Sequence, residues 1–283
     1  MLTPRALAPG RSAACTRYAV AGRHAVQGWL SELGLLLIDA VEAEQREAGV
    51  EGGVAEIGVH HGKLFILLAL LRRTGEPALA LDLFEDQERN VDHSGRGDRV
   101  LFERNLRRWN AGPVVVQQAD SNDLDAARVR DLLGGTARLF SVDGGHTADL
   151  TEHDLHTATG ALADGGVVIL DDCFSELFPA VSEGAQRFLR ATPDIVCVGG
   201  GGNKTFLTQR AHAPRYRAAL SRRADALRLY HQEHASFVGE PFHSVFPPQQ
   251  QRITHAWDTA EHRARWIGGW FRYHAQRVRG GAR

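Results

Sequence analysis

Two stretches decide the fold of this chain: Ala137-Arg-Leu-Phe-Ser-Val-Asp-Gly-Gly-His146 and Gly166-Val-Val-Ile-Leu-Asp-Asp172. Each begins with a short apolar run that is typical of a buried strand, and acidic residues follow the run. If the two strands are parallel neighbours, Asp143, Asp171 and Asp172 converge at one edge of a sheet. Three carboxylates this close repel one another unless a cation lies among them. The pattern therefore predicts a metal site with a histidine base, His146, beside it.

The chemistry of these side chains indicates which ion the site takes. Ligation by carboxylate oxygens favours a hard cation such as Mg²⁺, and Mn²⁺ accepts the same ligands. A histidine, with an ordinary pKa of about 6.5, can accept a proton at neutral pH. Aspartates after strands also serve as helix caps or turn residues, which is the structural alternative for each acid alone. The Asp-Asp doublet combined with Asp-x-x-His favours the metal site.

Strands and helices alternate along residues 51–210. Because the helices between strands are long enough for crossover connections, the pattern predicts an α/β fold with a doubly wound, mostly parallel sheet of seven strands. The last two strands flank Gly199-Gly-Gly-Gly-Asn203 and form a terminal antiparallel hairpin. Such sheets bind ligands beyond the carboxyl ends of their strands. The predicted strands are 54–58, 78–83, 113–117, 138–142, 167–170, 195–198 and 205–208.

Helical extensions are expected on both sides of this domain, over residues 1–50 and 211–283. Residues 1–22 look irregular, and apolar spacing predicts a helix over 24–48. After residue 210 we expect a helix over 215–232, a loop over 235–252 and an aromatic-rich helix over 254–277. These extensions are predicted to shape either a pocket for the substrate or a subunit interface, and the second alternative implies a homo-oligomer.

Composition limits the classes of partner and location. The chain has 283 residues, 43% of them hydrophobic, and a net charge of −1, so neither nucleic acid nor a membrane surface is expected as a partner. Three widely spaced cysteines suggest no disulfide framework and no zinc site. No run is long enough for a membrane span, and no signal peptide is recognisable. We expect a cytoplasmic protein.

Three further motifs lie at consecutive strand ends and point to a cofactor. Glu56-x-Gly58-x-x-x-Gly62 occupies the first strand-to-helix turn, where glycine lets backbone approach a ligand and a helix N-terminus can bind an anion. Asp82 can accept both hydroxyls of a ribose, and Asp120 with Ser121 can hold an adenine amine. Asp120 and Ser121 are equally suited to cap the next helix. Together the three positions suit a cofactor with a carboxylate, a ribose and an adenine.

This combination resembles the class I S-adenosylmethionine-dependent methyltransferases, whose fold is Rossmann-like, over about residues 50–210. Asp143-x-x-His146 with Asp171-Asp172 is similar to the metal-dependent O-methyltransferases of natural-product tailoring, the group that contains macrocin O-methyltransferase. The segments Leu83-Phe-Glu-Asp-Gln87 and Ser94-Gly-Arg-Gly-Asp98 resemble that group's loop over the cofactor. The resemblance implies Mg²⁺ ligands at Asp143, Asp171 and Asp172, a base at His146, and cofactor contacts at Glu56, Gly58, Gly62, Asp82, Asp120 and Ser121.

The resemblance implies an O-methyltransferase that depends on S-adenosylmethionine and Mg²⁺. Its acceptor would be a hydroxyl of a small molecule, such as a sugar of a glycosylated natural product. Two other classes of function stay open. A nicotinamide-dependent oxidoreductase shares the sheet and an acid at Asp82, but it lacks the Gly-x-Gly-x-x-Gly spacing and leaves Asp171-Asp172 unexplained. A non-catalytic binding protein could keep the same fold and cofactor pocket.

Overall fold

The structure, a computed structural model, describes residues 2–247. Strands and helices alternate through most of this range, as predicted. The helices are α1 (Ala13–Val20), α2 (Glu32–Glu47), α3 (Lys63–Leu71), α4 (Arg99–Trp109), α5 (Ala126–Leu133), α6 (Ala148–Gly160), α7 (Pro179–Ala191) and α8 (Ala213–Ala226). The strands are β1 (Gly53–Ile57), β2 (Ala78–Asp82), β3 (Val115–Gln118), β4 (Ala137–Val142), β5 (Leu162–Asp171), β6 (Ile195–Gly201), β7 (Lys204–Gln209), β8 (Tyr230–Phe237) and β9 (Glu240–Phe246).

One mixed sheet organises these elements, in the order β3-β2-β1-β4-β5-β7-β6-β9-β8. The first five strands of this order are parallel, and β7 pairs antiparallel with both β5 and β6. The predicted α/β fold, with a mostly parallel sheet and a terminal antiparallel hairpin, is confirmed. The strand order reverses between β1 and β4, so the carboxyl ends of these two strands flank a crevice where ligands bind in such folds.

The C-terminal part of the described chain differs from the prediction. The expected helix over 215–232 ends at Ala226, and β8 and β9 form a second hairpin where a helix end and a loop were expected. Strand β9 pairs in parallel with β6 through Gly199 and Gly200, which extends the sheet to nine strands. Strand β8 is an edge strand with few buried side chains, so its sequence carries little of the apolar signal on which strand prediction depends. The predicted helix over 254–277 lies outside the described residues.

The N-terminal segment is more regular than its sequence suggests. Residues 13–20 form α1 where irregular chain was expected, and the buried Tyr18 donates its hydroxyl to the Lys63 carbonyl at 2.6 Å. The helix predicted over 24–48 begins only at Glu32, because the Ser31 side chain accepts the Gly34 N–H and caps it. The apolar residues before this cap, Val26 and Leu30, are buried nonetheless.

Two apolar layers cover the sheet. One contains side chains of α1, α2, α3 and α8, and the other contains those of α5, α6 and α7. A fully buried arginine, Arg138 on β4, crosses the first layer and pairs with Glu76 at 2.8 Å and Glu42 at 3.4 Å. An unpaired buried charge is strongly destabilising, so the buried Arg138 needs these two carboxylate partners. Together these contacts tie α2 to the sheet.

Candidate functional site

A cavity of about 510 Å³ opens at the carboxyl edge of β1, β2, β4 and β5. Its size suits a small-molecule or cofactor site. One end is lined by Asp82, Asp120 and Ser121, and the other by Asp143, His146 and Asp172. The structure therefore brings most of the predicted site residues into one space. Glu56 and Gly62 are not among the lining residues.

Asp143, His146 and Asp172 form a compact group of potential ligands in this cavity. One ligand atom from each lies within 4.8 Å of the other two. His146 Nε2 is 3.4 Å from Asp172 Oδ2 and 3.8 Å from Asp143 Oδ1. Burial and the neighbouring carboxylate of Asp171 raise the pKa of Asp143. Like charges held together in this way are stabilised by a cation.

The ring of His146 is fixed from its other side. Asp92 Oδ2 accepts the His146 backbone N–H at 2.6 Å and lies 2.7 Å from His146 Nδ1. Phe178 stacks on the ring at a centroid distance of 3.8 Å. A carboxylate on Nδ1 holds the proton there and leaves Nε2 free to face the cavity. Burial lowers the pKa of His146, but the contacts with Asp172 and Asp92 outweigh it, so the net shift is upward.

Asp92 is itself positioned by its neighbours. Its Oδ1 accepts the Ser94 N–H at 3.0 Å and the Ser94 hydroxyl at 2.7 Å. Burial raises the pKa of Asp92, but these bonds and those from His146 prevail and lower it to about 2. The carboxylate is therefore ionised at neutral pH. Sequence reasoning missed this residue, since nothing local signals a contact across 54 positions.

Asp171 has a different environment from the other two predicted metal ligands. It is 5% exposed and forms a buried ion pair with Lys204, which faces it directly across the β5–β7 pairing. Burial lowers the pKa of Lys204, but the charges of Asp171, Asp143 and Glu56 prevail and raise it. Asp171 thus pairs with Lys204, lines the cavity and lies outside the three-residue group, and its role as a metal ligand stays a prediction.

Asp172 occupies a strained backbone position at the mouth of the site. Its φ is 57°, in the left-handed region that non-glycine residues rarely adopt. The Asn203 side chain donates to Asp172 Oδ1 at 2.7 Å and to Asp171 Oδ1 at 3.0 Å. Burial raises the pKa of Asp172, but His146 and Asn203 prevail and lower it. Strain of this kind persists where surrounding contacts enforce it, which is typical of functional sites.

The glycines of the first turn serve packing as well as access. Gly58 has φ 83°, and a Cβ built there would lie 1.6 Å from the Asp143 carbonyl oxygen. Gly62 has φ 89°, and a Cβ there would meet the Phe102 ring at 2.9 Å. Gly58 also lines the cavity. The close approach at Gly58 brings the turn after β1 against the loop that carries Asp143, and the one at Gly62 brings the turn against α4.

Glu56 lies beneath the cavity, with 1% of its surface exposed. Burial raises the pKa of Glu56 to about 8, although the charge of Lys204 opposes the shift. One carboxylate oxygen of Glu56 has no hydrogen-bond partner among the described residues. A cofactor contact at Glu56 stays a prediction.

At the other end of the cavity, Asp82 organises the backbone around it. Its Oδ2 accepts the His60 N–H at 2.7 Å and its Oδ1 accepts the Phe84 N–H at 2.6 Å. Asp120 accepts the Asn122 N–H at 3.0 Å and pairs with Arg89 at 3.1 Å. Capping at Asp120, the structural alternative, is therefore present. Ribose and adenine contacts at Asp82, Asp120 and Ser121 stay predictions.

Comparisons with known proteins address the fold and the class of enzyme. Residues 55–173 match a family model described as a methyltransferase domain. No curated protein sequence matches the chain. The O-methyltransferase NovP has a similar structure, with a TM-score of 0.52 and 14% identity over 62% of this chain and 80% of NovP. TomG, an O-methyltransferase from Streptomyces achromogenes, gives a TM-score of 0.45 at 17% identity, over 69% of this chain and 88% of TomG.

The family match covers the strands whose carboxyl ends form the cavity. The family model spans the segment from β1 to the Asp171-Asp172 doublet, which contains all the predicted site residues. The predicted resemblance to class I methyltransferases is therefore confirmed, and nicotinamide-dependent oxidoreduction loses its support. Residues 55–173 thus match a methyltransferase domain, and the chain shares its fold with the O-methyltransferase NovP.

Proposed function

We propose that the protein transfers a methyl group from S-adenosylmethionine to a hydroxyl of a small molecule, with a divalent cation, Mg²⁺ or Mn²⁺, at Asp143 and Asp172. The observation that carries this proposal is the convergence of Asp143, His146 and Asp172 at one end of the cavity. Asp82, Asp120 and Ser121 line the opposite end, where a nucleoside would lie. In this proposal the cofactor and the acceptor lie side by side in one cavity.

The donor set fits a hard cation. Ligands of an octahedral Mg²⁺, at about 2.0–2.1 Å from the ion, are about 2.9 Å apart when adjacent and about 4.1 Å apart when opposite. One carboxylate oxygen of Asp143 and one of Asp172 lie within 4.8 Å of each other, which is comparable with the spacing of opposite ligands. A metal held here would supply Lewis acidity, which lowers the pKa of the acceptor hydroxyl and helps to orient it. Asp143 and Asp172 would hold the ion, and Lys204 would keep Asp171 neutralised beside it.

His146 is positioned to take the proton of the acceptor hydroxyl. Its Nε2 faces the two carboxylates, while Asp92 holds Nδ1 and Phe178 fixes the plane of the ring. Methyl transfer is a direct displacement at carbon, so the attacking oxygen must lose its proton and lie in line with the sulfonium. An imidazole of fixed tautomer and orientation meets the first requirement.

Apolar side chains on the cavity wall are suited to the acceptor. Trp29 is 68% exposed and Leu177 is 82% exposed, and both line the cavity together with Val91. Exposed apolar groups at the rim of a pocket favour binding of a ligand with an apolar face. A sugar has such a face, and a glycosylated natural product is the acceptor that the sequence resemblance implies. Homo-oligomerisation and a cytoplasmic location stay predictions; within residues 2–247 no helix is long and apolar enough to cross a membrane.

Calorimetry with S-adenosylmethionine, with and without Mg²⁺, tests the two-site proposal. We expect the cofactor to bind both wild type and Asp143→Ala/Asp172→Ala, and the metal to bind wild type only. Glycosylated acceptors are then screened for methyl transfer. If neither protein binds the cofactor, the methyltransferase proposal is overturned, and titration with nicotinamide nucleotides follows. If His146→Ala binds the cofactor and retains full turnover, the assignment of the base is overturned.

A further inference from the structure

A second group of potential metal ligands lies away from the cavity, on the β8–β9 hairpin. His231, Glu233 and His243 each offer one ligand atom within 4.8 Å of the other two. None of the three lines the cavity. We propose that these residues bind a divalent transition metal, Zn²⁺, which fastens the hairpin to α8.

Strand geometry places the three side chains on one face of the hairpin. His231 and Glu233 are two positions apart on β8, so their side chains point to the same side. Strand β9 runs antiparallel to β8, and the register shifts between residues 232 and 235, which brings His243 opposite Glu233. The two imidazole rings stack at a centroid distance of 5.1 Å, and His243 Nδ1 lies 3.6 Å from Glu233 Oε1.

Helix α8 supplies the contacts that orient these ligands. Asp225 Oδ1 is 3.0 Å from His231 Nε2. The Ser221 hydroxyl donates to Glu233 Oε1 at 2.7 Å and lies 3.3 Å from His243 Nδ1. A carboxylate on the outer nitrogen of a histidine, with the inner nitrogen on the metal, is the usual arrangement in zinc sites. The hairpin and the helix therefore provide both the ligands and their supports.

The imidazoles also have unused nitrogens. His231 Nδ1 and His243 Nε2 are buried and have no hydrogen-bond partner among the described residues. His243 as a whole is only 3% exposed. A buried polar atom without a partner is costly, and a metal would satisfy His231 Nδ1, the nitrogen that Asp225 leaves free.

The donor set selects the metal. Two imidazoles and one carboxylate suit Zn²⁺, which takes nitrogen and oxygen ligands in a tetrahedral arrangement. Mg²⁺ prefers oxygen ligands throughout, so it would favour the Asp143 and Asp172 site. Three protein ligands leave a fourth position for water. Because the ligands come from one hairpin supported by one helix, the consequence of binding is local stabilisation.

Zinc titration of chelator-treated protein tests the proposal. To remove competition from the cavity, the titration uses the Asp143→Asn/Asp172→Asn background. There we expect one Zn²⁺ to bind per chain and to raise the melting temperature. Adding His231→Gln and Glu233→Gln should abolish both effects. His234→Gln is the matched control, because His234 is exposed on the same strand and is not in the ligand group, and it should bind Zn²⁺ as the background does.

Circular dichroism establishes that each variant folds. Glu233→Gln alone, at an exposed position, provides a milder change and should still weaken Zn²⁺ binding. The proposal is overturned if the background protein binds no Zn²⁺ or if the His231→Gln/Glu233→Gln variant binds as tightly as the His234→Gln control. The His231→Gln/Glu233→Gln variant and the His234→Gln control have the same cavity residues. Failure of the zinc proposal would therefore leave the proposed methyl transfer unaffected.

Discussion

Replacement of Asp92 by Asn is the sharpest test of how the proposed base is held. Asp92 Oδ2 contacts both the backbone N–H and Nδ1 of His146. Asparagine keeps one oxygen acceptor but loses the charge, so about one charge-assisted hydrogen bond is lost. Such a bond contributes about 1.5–3 kcal/mol. If this energy is lost only in the transition state, the turnover number falls by about 10–150-fold.

The pH profile distinguishes loss of the base from general damage. The base acts when neutral, so the rate rises with pH through the pKa of His146. Contacts with Asp172 and Asp92 raise that pKa against the effect of burial. Asp92→Asn removes one of these contacts, so the acid limb of the profile should move to lower pH while the plateau falls. A general loss of structure would lower the plateau without moving the limb.

Steady-state kinetics of wild type, Asp92→Asn and Glu88→Gln provide the measurement. Glu88 lies in the same loop and is exposed, which makes it the matched control. We expect Asp92→Asn to reduce kcat with little change in KM for either substrate, and Glu88→Gln to behave as wild type. A change in KM alone, or an unchanged kcat, would refute the assignment of Asp92 as the residue that positions His146.

Three further predictions concern stability. In urea unfolding, Gly58→Ala should lower the free energy of unfolding by more than about 3 kcal/mol, the upper end of the cost of left-handed backbone strain, because a Cβ there also meets a carbonyl oxygen. Gly75→Ala is the control: Gly75 has φ 87° and open space around it, so its substitution introduces the strain without the clash. Lys204→Met leaves Asp171 buried without its partner and should cost about 3–5 kcal/mol by the same measurement; a loss below 1 kcal/mol contradicts the pairing. Glu56→Gln should reduce the pH dependence of unfolding. Since the pKa of Glu56 is raised to about 8, its contribution to stability is full below about 4.5 and is lost as the pH rises towards 8, and an unchanged pH slope in the variant would argue against this shift.

Much of the fold was predictable because the central parallel strands are mostly apolar and buried. The cores of β1, β4 and β5 are buried on both faces, and such strands give the strongest sequence signal. The edge hairpin was missed for the opposite reason, since β8 reads Tyr-His-Gln-Glu-His-Ala-Ser-Phe and presents few side chains to the core. Its pairing with β6 depends on tertiary contacts that no local pattern encodes.

The candidate-site residues that lie just after a strand could be predicted from the sequence. Asp143 and His146 lie just after the end of β4, and Asp172 lies just after the end of β5. The partners of these residues come from other elements and could not be predicted in the same way. Lys204 reaches Asp171 only because β7 pairs with β5 in a particular register. One signal was available, since Lys204 is one of only two lysines in the chain.

The position of Asp92 has a consequence for the order in which substrates bind. The segment that includes Asp92 also contributes Gln87, Arg89, Ser94 and Gly95 to the cavity wall. Because this segment forms the cavity wall and also holds the base, a cofactor seated against the wall would complete the surface on which the acceptor binds. We therefore expect compulsory ordered addition, cofactor first, and product-inhibition patterns that show random addition would contradict it. Ordered addition of this kind keeps the acceptor from occupying an enzyme that cannot yet react.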